Sequence, residues 1–324
     1  MKISFCIPTF NRCILLRQTI ESILRLDDKN IEIIVSDNAS TDDTEVYIKS
    51  LQGRHEHIRY HKWLNTVDCG KNLLKVVELA TCDYCWLLTD DDIIQIDSLD
   101  NIRMILNLYP ELSGISVNVE GFDKNLVKKK CIRYAHKMNE SKYFDSFEEC
   151  YNELGAWFGY WSALIVNRKR WEAARVNPKH LDFHGYHHLF LVCEMIRKNP
   201  KWFFLNQKCV AYRADSESYA SEFGIFNRYK LDLYSYKKIG EDFFGQKSKV
   251  AKKICKRVLN SYSFWQLVSI KYMKGNLRLL FRLCILSLKY YKFHPEFWYK
   301  LLPLFFMPRP FLLALRYLYR RLIL

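Results

Sequence analysis

The 324-residue sequence predicts an α/β fold with a mainly parallel central sheet, followed by a helical, basic C-terminal extension. Two observations carry the first part. Apolar runs of strand length alternate with segments of helical periodicity, and the connections between them are short. Such alternation implies parallel strands covered by helices on both faces. A third observation carries the second part. From Arg228 onward, 21 Lys and Arg stand against 4 Asp and Glu, a net of +17. The whole chain carries +15, so everything before Arg228 sums to −2. The expected division is an α/β domain over 1–226 and a basic helical region over 227–324, the latter facing an anionic surface.

The elements follow in order. Ile3 to Ile7 is a buried strand stopped at Pro8. Ile14, Leu15, Ile20, Ile23 and Leu24 recur at helical spacing, and Ile31 to Val35 is a second strand. Thr41 or Asp42 can cap a helix carrying Val46, Ile48 and Leu51. Ile58 to His61 is a short strand, Asn72 to Ala80 a helix and Tyr84 to Leu88 an apolar strand. Asp97 can cap a helix ended by Pro110. Further on, Ser162 to Val166, Trp202 to Leu205 and Cys209 to Arg213 are short strands, and Leu189 to Arg197 is a helix. From about Asn227 the chain is helical with few breakers until Pro303.

Several classes are excluded. Apolar types at 49% with charged types at 26% fit a globular chain, not a disordered one. The first glycine is Gly53, so neither a dinucleotide fingerprint nor a phosphate-binding P-loop can follow the first strand. Gly240 and Gly245 have P-loop spacing, but Gln246 stands where Lys is required. The eleven cysteines include one Cys-x-x-Cys, Cys82 and Cys85, with no second pair; reduced, structural thiols are expected. Polar Asn11-Arg12 arrives too early for a secretory leader, and no run of about 18 uncharged apolar residues spans a bilayer. A cytoplasmic protein is expected.

In sheets of this kind ligands bind beyond the carboxyl ends of the strands. The segments there are Pro8-Thr9-Phe10-Asn11, Ser36-Asp37-Asn38 and Thr89-Asp90-Asp91-Asp92. Three adjacent carboxylates repel one another and require a counter-ion. Oxygen-only ligands suit Mg²⁺ or Mn²⁺. The competing reading is a solvated acidic loop. Asp37 can accept hydrogen bonds from a base or ribose, or simply form an Asx turn.

These segments resemble family 2 glycosyltransferases of the GT-A fold. Ile3 to Arg12 is similar to their opening strand, Glu32 to Thr44 to their second motif, and Leu87 to Ile93 to their metal-binding DXD motif. The order and spacing agree over roughly residues 1–110, and the chain as a whole resembles bacterial sugar transferases of the abequosyltransferase type. The resemblance implies that Pro8, Thr9 and Asn11 line a nucleotide pocket and that Asp37 holds the nucleobase edge. It implies that Asp92 ligates Mn²⁺ or Mg²⁺ on a diphosphate, with Asp90 or Asp91 alongside. Asn65 and Gly70 resemble a stretched Asn-x-Gly pocket segment. The implied reaction is inverting transfer from a nucleotide-sugar to a lipid-linked glycan, as in surface polysaccharide synthesis.

One departure stands out. Relatives carry a catalytic Glu-Asp pair at a later helix start, whereas this chain has Leu181-Asp182-Phe183-His184-Gly185-Tyr186-His187-His188-Leu189. Anchoring on Gly185 and Leu189 puts His187 in the base position, with Asp182 as rival; a helix-capping or acceptor-contacting role is the alternative. Arg213 resembles a late lid residue that meets a phosphate, or it pairs with Asp215 or Glu217. Trp157 to Trp161 is an acceptor platform or core, and Lys128 to Lys130 a solvated loop. Two other functions stay open: a nucleotidyltransferase, and a non-catalytic binding protein of the same fold. Lys249, Lys252, Lys253, Lys256 and Arg257, then Arg278, Arg282, Lys289 and Lys292 within an apolar stretch, point to an anionic membrane surface rather than nucleic acid.

Overall fold

Ile3–Thr9 forms β1, the axis of the sheet, buried along its whole length. In the computed structural model, which describes residues 1–127, 138–174, 186–213, 224–260, 267–268, 277–311 and 314, β1 lies parallel to β2 (Ile31–Asp37) on one side. On the other it lies parallel to β4 (Tyr84–Leu87), and β3 (Ile58–Lys62) extends the sheet beyond β2. The crossovers are α1 (Cys13–Leu24), α2 (Thr44–Gln52) and α3 (Cys69–Glu78). Buried on both faces, β1 alternates its work: Ile3, Phe5 and Ile7 join the cluster of Leu16, Ile20, Ile23 and Ile48. Cys6 turns the other way, toward the Val76 carbonyl of α3. Each such aliphatic side chain contributes about 1.5–3 kcal/mol on burial. Phe5 also stacks on Trp86 at 5.3 Å.

Beyond β4 the sheet becomes mixed. β8 (Leu164–Asn167) is antiparallel to β4, and β6 (Gly114–Phe122) is antiparallel to β8. β9 (Trp202–Arg213) runs parallel to β6 and pairs antiparallel with β5 (Ile93–Ile94) and β7 (Lys142–Phe144). The order is β3-β2-β1-β4-β8-β6-β9-β5, with β7 on β9. The α/β expectation with parallel strands around β1 is met. The two strands expected near residue 205 are one, β9, whose pairing with β6 shifts register at Val117 and Asn118. β6, β7 and α5 (Phe147–Leu154) were not anticipated. Of the apolar positions at helical spacing, Ile14 and Val46 are solvent-exposed. Asp97 stands at the N-cap of α4 (Ser98–Leu108), yet its side chain makes no capping bond.

The chain divides into two compact units, Met1–Glu217 and Ser218–Leu324. The second contains α-helices Ile225–Phe244, Lys249–Val258, Leu277–Tyr291 and Leu302–Phe306, with a π-helical turn at Phe297–Leu301. Gly245 ends the first of them at φ 84°, a conformation open to glycine. Among the described residues, no helix is long and apolar enough to cross a membrane.

Candidate active site

Three parallel strands end side by side, and this brings the three sequence segments together. Thr9 at the end of β1 donates its hydroxyl to Asp90 Oδ2 at 2.7 Å. Asn11 latches the loop after β1 to the loop after β2: its amide donates to Ser40 Oγ at 2.8 Å, and its side-chain oxygen accepts from the Thr41 amide at 2.8 Å. Asn11 and Ala39 both hold positive φ, 50° and 61°. Such backbone strain concentrates at functional loops, where surrounding structure holds it in place. Pro8 is buried within β1, paired in register with Ser36 of β2.

Asp37 is fully buried. Its Oδ1 accepts from the Ser40 amide at 2.8 Å and its Oδ2 from the Tyr60 hydroxyl at 2.6 Å. Burial, reinforced by the hydrogen bond to Asp37, pushes the Tyr60 phenol far above its ordinary pKa. The next residue, Asn38, pairs with both the amide and the carbonyl of Val67 at 2.7 and 2.9 Å. Asn72 of α3 then ties the two strand ends together: it donates to the Ser36 carbonyl at 3.0 Å and accepts from Ser36 Oγ and Trp63 Nε1. Tyr60, Trp63 and Asn72 escaped sequence reasoning because they follow no motif. The register of β2 with β3 brings Tyr60 and Trp63 here, and the packing of α3 brings Asn72.

The acidic turn is held from all sides. Asp92 is 1% exposed. Its Oδ2 accepts from the hydroxyls of Thr89 and Ser162, each at 2.6 Å, and from Tyr160; its Oδ1 accepts from the Arg213 amide at 3.1 Å. Three of those four bonds crowd Oδ2, while Oδ1 takes one. Arg213, itself buried, sends Nε to the Asp91 carbonyl at 2.9 Å and its terminal nitrogens to the Lys124 carbonyl and Gln18. Burial raises the carboxyl pKa of both Asp90 and Asp92, and the neighbouring Asp91 charge adds to it. Opposing this, the Arg12 guanidinium reaches Asp90 Oδ1 at 2.8 Å and Asp91 Oδ2 at 2.6 Å. Arg12 was not singled out in the sequence, although a lone cation directly after Asn11 and opposite three acids is a usable signal.

The aromatic segment packs inward. Phe158 is buried, Trp157 Nε1 donates to the Val117 carbonyl at 3.1 Å, and Tyr160 supports Asp92. Trp161 Nε1 donates to His188 Nδ1 at 2.9 Å. His188 Nε2 must then carry the proton it shares with the Phe158 carbonyl at 3.1 Å, so both ring nitrogens of His188 are engaged. His187, 1% exposed at the start of α7 (His187–Lys198), directs Nδ1 to Asp68 Oδ1 at 3.5 Å. Asp68 also caps α3 through the Gly70 amide at 2.9 Å. Asp182, Asp215, Glu217 and Lys128 to Lys130 lie outside the described residues.

The donor set of the turn is oxygen-only, which suits a hard divalent cation. Among the described residues, no three His, Cys, Asp or Glu side chains are arranged to hold a metal by themselves.

Comparison with known proteins agrees with the fold. The chain is 29% identical over 259 residues to abequosyltransferase RfbV of Salmonella typhimurium, covering 76% of each. A Campylobacter jejuni β-1,3-glucosyltransferase, named for a GalNAc(5)-diNAcBac-PP-undecaprenol substrate, is 34% identical over 109 residues, 33% of this chain and 35% of that protein. Staphylococcus aureus TarS (residues 1–349) with UDP-GlcNAc superimposes with a TM-score of 0.62 at 12% identity, over 90% of this chain and 82% of that one. The mannosyltransferase PcManGT from Pyrobaculum calidifontis, with GDP-Man and Mn²⁺, gives 0.56 at 14%, over 89% and 80%. The catalytic unit thus has the GT-A fold. Residues 4–168, just over half of the chain, match the sequence profile of glycosyl transferase family 2, and the protein belongs to that family.

Proposed function

We propose that the protein transfers a sugar, with inversion, from a nucleotide-sugar to a lipid-linked glycan at the cytoplasmic face of a bacterial membrane. The observation that carries this is the convergence of Thr9, Asn11, Asp37 and Asp90 to Asp92 at the ends of three parallel strands. Thr9, Pro8 and Asn11 shape the nucleotide side, and Asp37 with Tyr60 forms its floor. The sequence points to Asp90 and Asp92 as metal ligands. The hydrogen bonds favour Asp90 and Asp91 as the pair that would hold Mn²⁺ or Mg²⁺, because four protein donors already crowd Asp92, three of them on Oδ2. Such an ion neutralises charge on a departing diphosphate. Arg213 acts here as a positioning residue for that turn.

His187 is the proposed base, with Asp182 as rival. Asp68 Oδ1 stands 3.5 Å from His187 Nδ1 without a hydrogen bond to it, and the His187 ring would take the acceptor hydroxyl proton. The undecaprenol-linked substrate named for the Campylobacter relative supports a lipid-linked acceptor. In the second unit, Phe281, Ile285 and Leu288 are exposed at helical spacing, beside exposed Arg278, Arg282, Lys289 and Lys292. That mixture supports an interfacial helix on an anionic surface.

The test is nucleoside diphosphate release from a donor panel with Mn²⁺, with and without undecaprenyl-diphosphate-linked glycans. Acceptor-dependent release with the anomeric configuration inverted in the product is expected. Donor binding by thermal shift without turnover on any acceptor would instead support the binding-only reading, which the missing Glu-Asp pair favours.

A further inference from the structure

Arg12 bridges Asp90 Oδ1 and Asp91 Oδ2, on the two carboxylates favoured above as metal ligands. Its side chain is only 19% exposed, and those of Asp90 and Asp91 are 6% and 13%. Asp90 Oδ2 accepts from Thr9, and Asp92 takes Thr89, Tyr160 and Ser162 on Oδ2 and the Arg213 amide on Oδ1. A cation that binds Asp90 and Asp91 therefore meets a guanidinium already on Asp90 Oδ1 and Asp91 Oδ2. A divalent ion bonds oxygen at about 2.0–2.2 Å, so on these two carboxylates it would stand within a few ångströms of the guanidinium, and like charges that close repel.

The geometry points to Arg12 as a displaceable counter-ion that competes with the divalent cation for Asp90 and Asp91. This rests on the metal assignment above and adds a residue that controls it. Three consecutive carboxylates, two of them buried, are costly to assemble without a cation. Arg12 meets that need before donor arrives. An incoming diphosphate offers the guanidinium an alternative bidentate partner, so leaving the carboxylates need not leave Arg12 uncompensated. Metal and diphosphate would then bind with positive coupling, each easing the other's entry.

The experiment is Mn²⁺ titration of the full chain, with free Mn²⁺ read by electron paramagnetic resonance and no nucleotide present. Arg12→Gln removes the competing charge and should bind Mn²⁺ about tenfold more tightly, the equivalent of one charge-assisted hydrogen-bond pair. Arg12→Lys, which keeps a charge but cannot bridge both carboxylates, should fall between, and it serves if Arg12→Gln does not fold. Equal or weaker Mn²⁺ binding by the folded variants than by the wild type overturns the competition alone. Absence of Mn²⁺ binding in wild type and variants alike overturns both the competition and the metal assignment. Retained nucleotide-sugar binding by thermal shift would in that case leave the donor site standing.

Discussion

Glu32 sits in β2 on the side of the sheet away from the acidic turn and accepts from Ser4 Oγ at 2.7 Å, the Thr81 amide at 3.0 Å and Arg59 at 3.2 Å. Burial alone would raise its pKa. The Thr81 amide, Ser4 and Arg59 outweigh burial and hold it below the ordinary glutamate value. A depressed carboxyl stabilises the fold above the unfolded-state pKa of about 4.3 and loses that contribution as pH falls through the folded value. Glu32→Gln should therefore cost about 1–3 kcal/mol at pH 7, and the gap to wild type should narrow below about pH 4. Urea unfolding at both pH values checks this; a gap of constant size would refute it. Asp92→Asn keeps the acceptor for the Arg213 amide but turns an amide toward three hydroxyls. It should stay folded while turnover falls about 10²-fold or more, measured by diphosphate release. His187→Ala should lose about 10²–10⁴-fold in transfer with donor binding intact. If Asp182→Asn shows that profile and His187→Ala stays active, the base is Asp182.

At the level of elements, α3 carries more of the site than its sequence suggests. Asp68 caps it, Asn72 joins β1 to β2, and Gly70 gives His187 room. A Cβ on Gly70 would lie 1.8 Å from His187 Nδ1, an impossible contact. Because that ring is buried between α3 and α7, it has little space to retreat. Gly70→Ala should cost about 1–3 kcal/mol through overpacking and should also impair transfer by moving His187. Denaturant unfolding together with single-turnover kinetics checks both. A variant as stable and as active as wild type would remove His187 from the site.

On the scale of the whole molecule, charge is segregated. The first unit is close to neutral, while the basic excess lies in the C-terminal region. Within the second unit, Lys249–Val258 buries Val250, Ala251, Ile254 and Val258 and exposes Lys249, Lys252, Lys253 and Lys256. Each Lys or Arg near an anionic bilayer adds about 1 kcal/mol. The full chain should sediment with vesicles rich in anionic lipid at low salt and be released as salt rises. Replacing Phe281 and Ile285 with Asp should weaken sedimentation without changing soluble donor binding. Unchanged sedimentation would assign those side chains to another contact.

The sequence by itself determined the strands around β1, the acidic turn and the loops after β1 and β2. Each is local: an apolar run of strand length, a proline stop, a cluster of like charges. Motif order then sufficed to indicate the family. It did not determine which face Ile14 and Val46 occupy, since apolar spacing does not say which turns of a helix meet the sheet. Nor did it reveal β6, whose partners β8 and β9 lie about 40 to 90 residues later in the chain. Only the tertiary structure decided what each carboxylate contacts. Asp90, Asp91 and Asp92 are consecutive and chemically identical. Pairing of β4 with β8 and of β5 with β9 surrounds Asp92 with Ser162, Tyr160 and Arg213, while Asp90 and Asp91 face Arg12. The division of labour among them comes from partners distant in sequence, because hydrogen bonds and ion pairs depend on distances that folding alone sets.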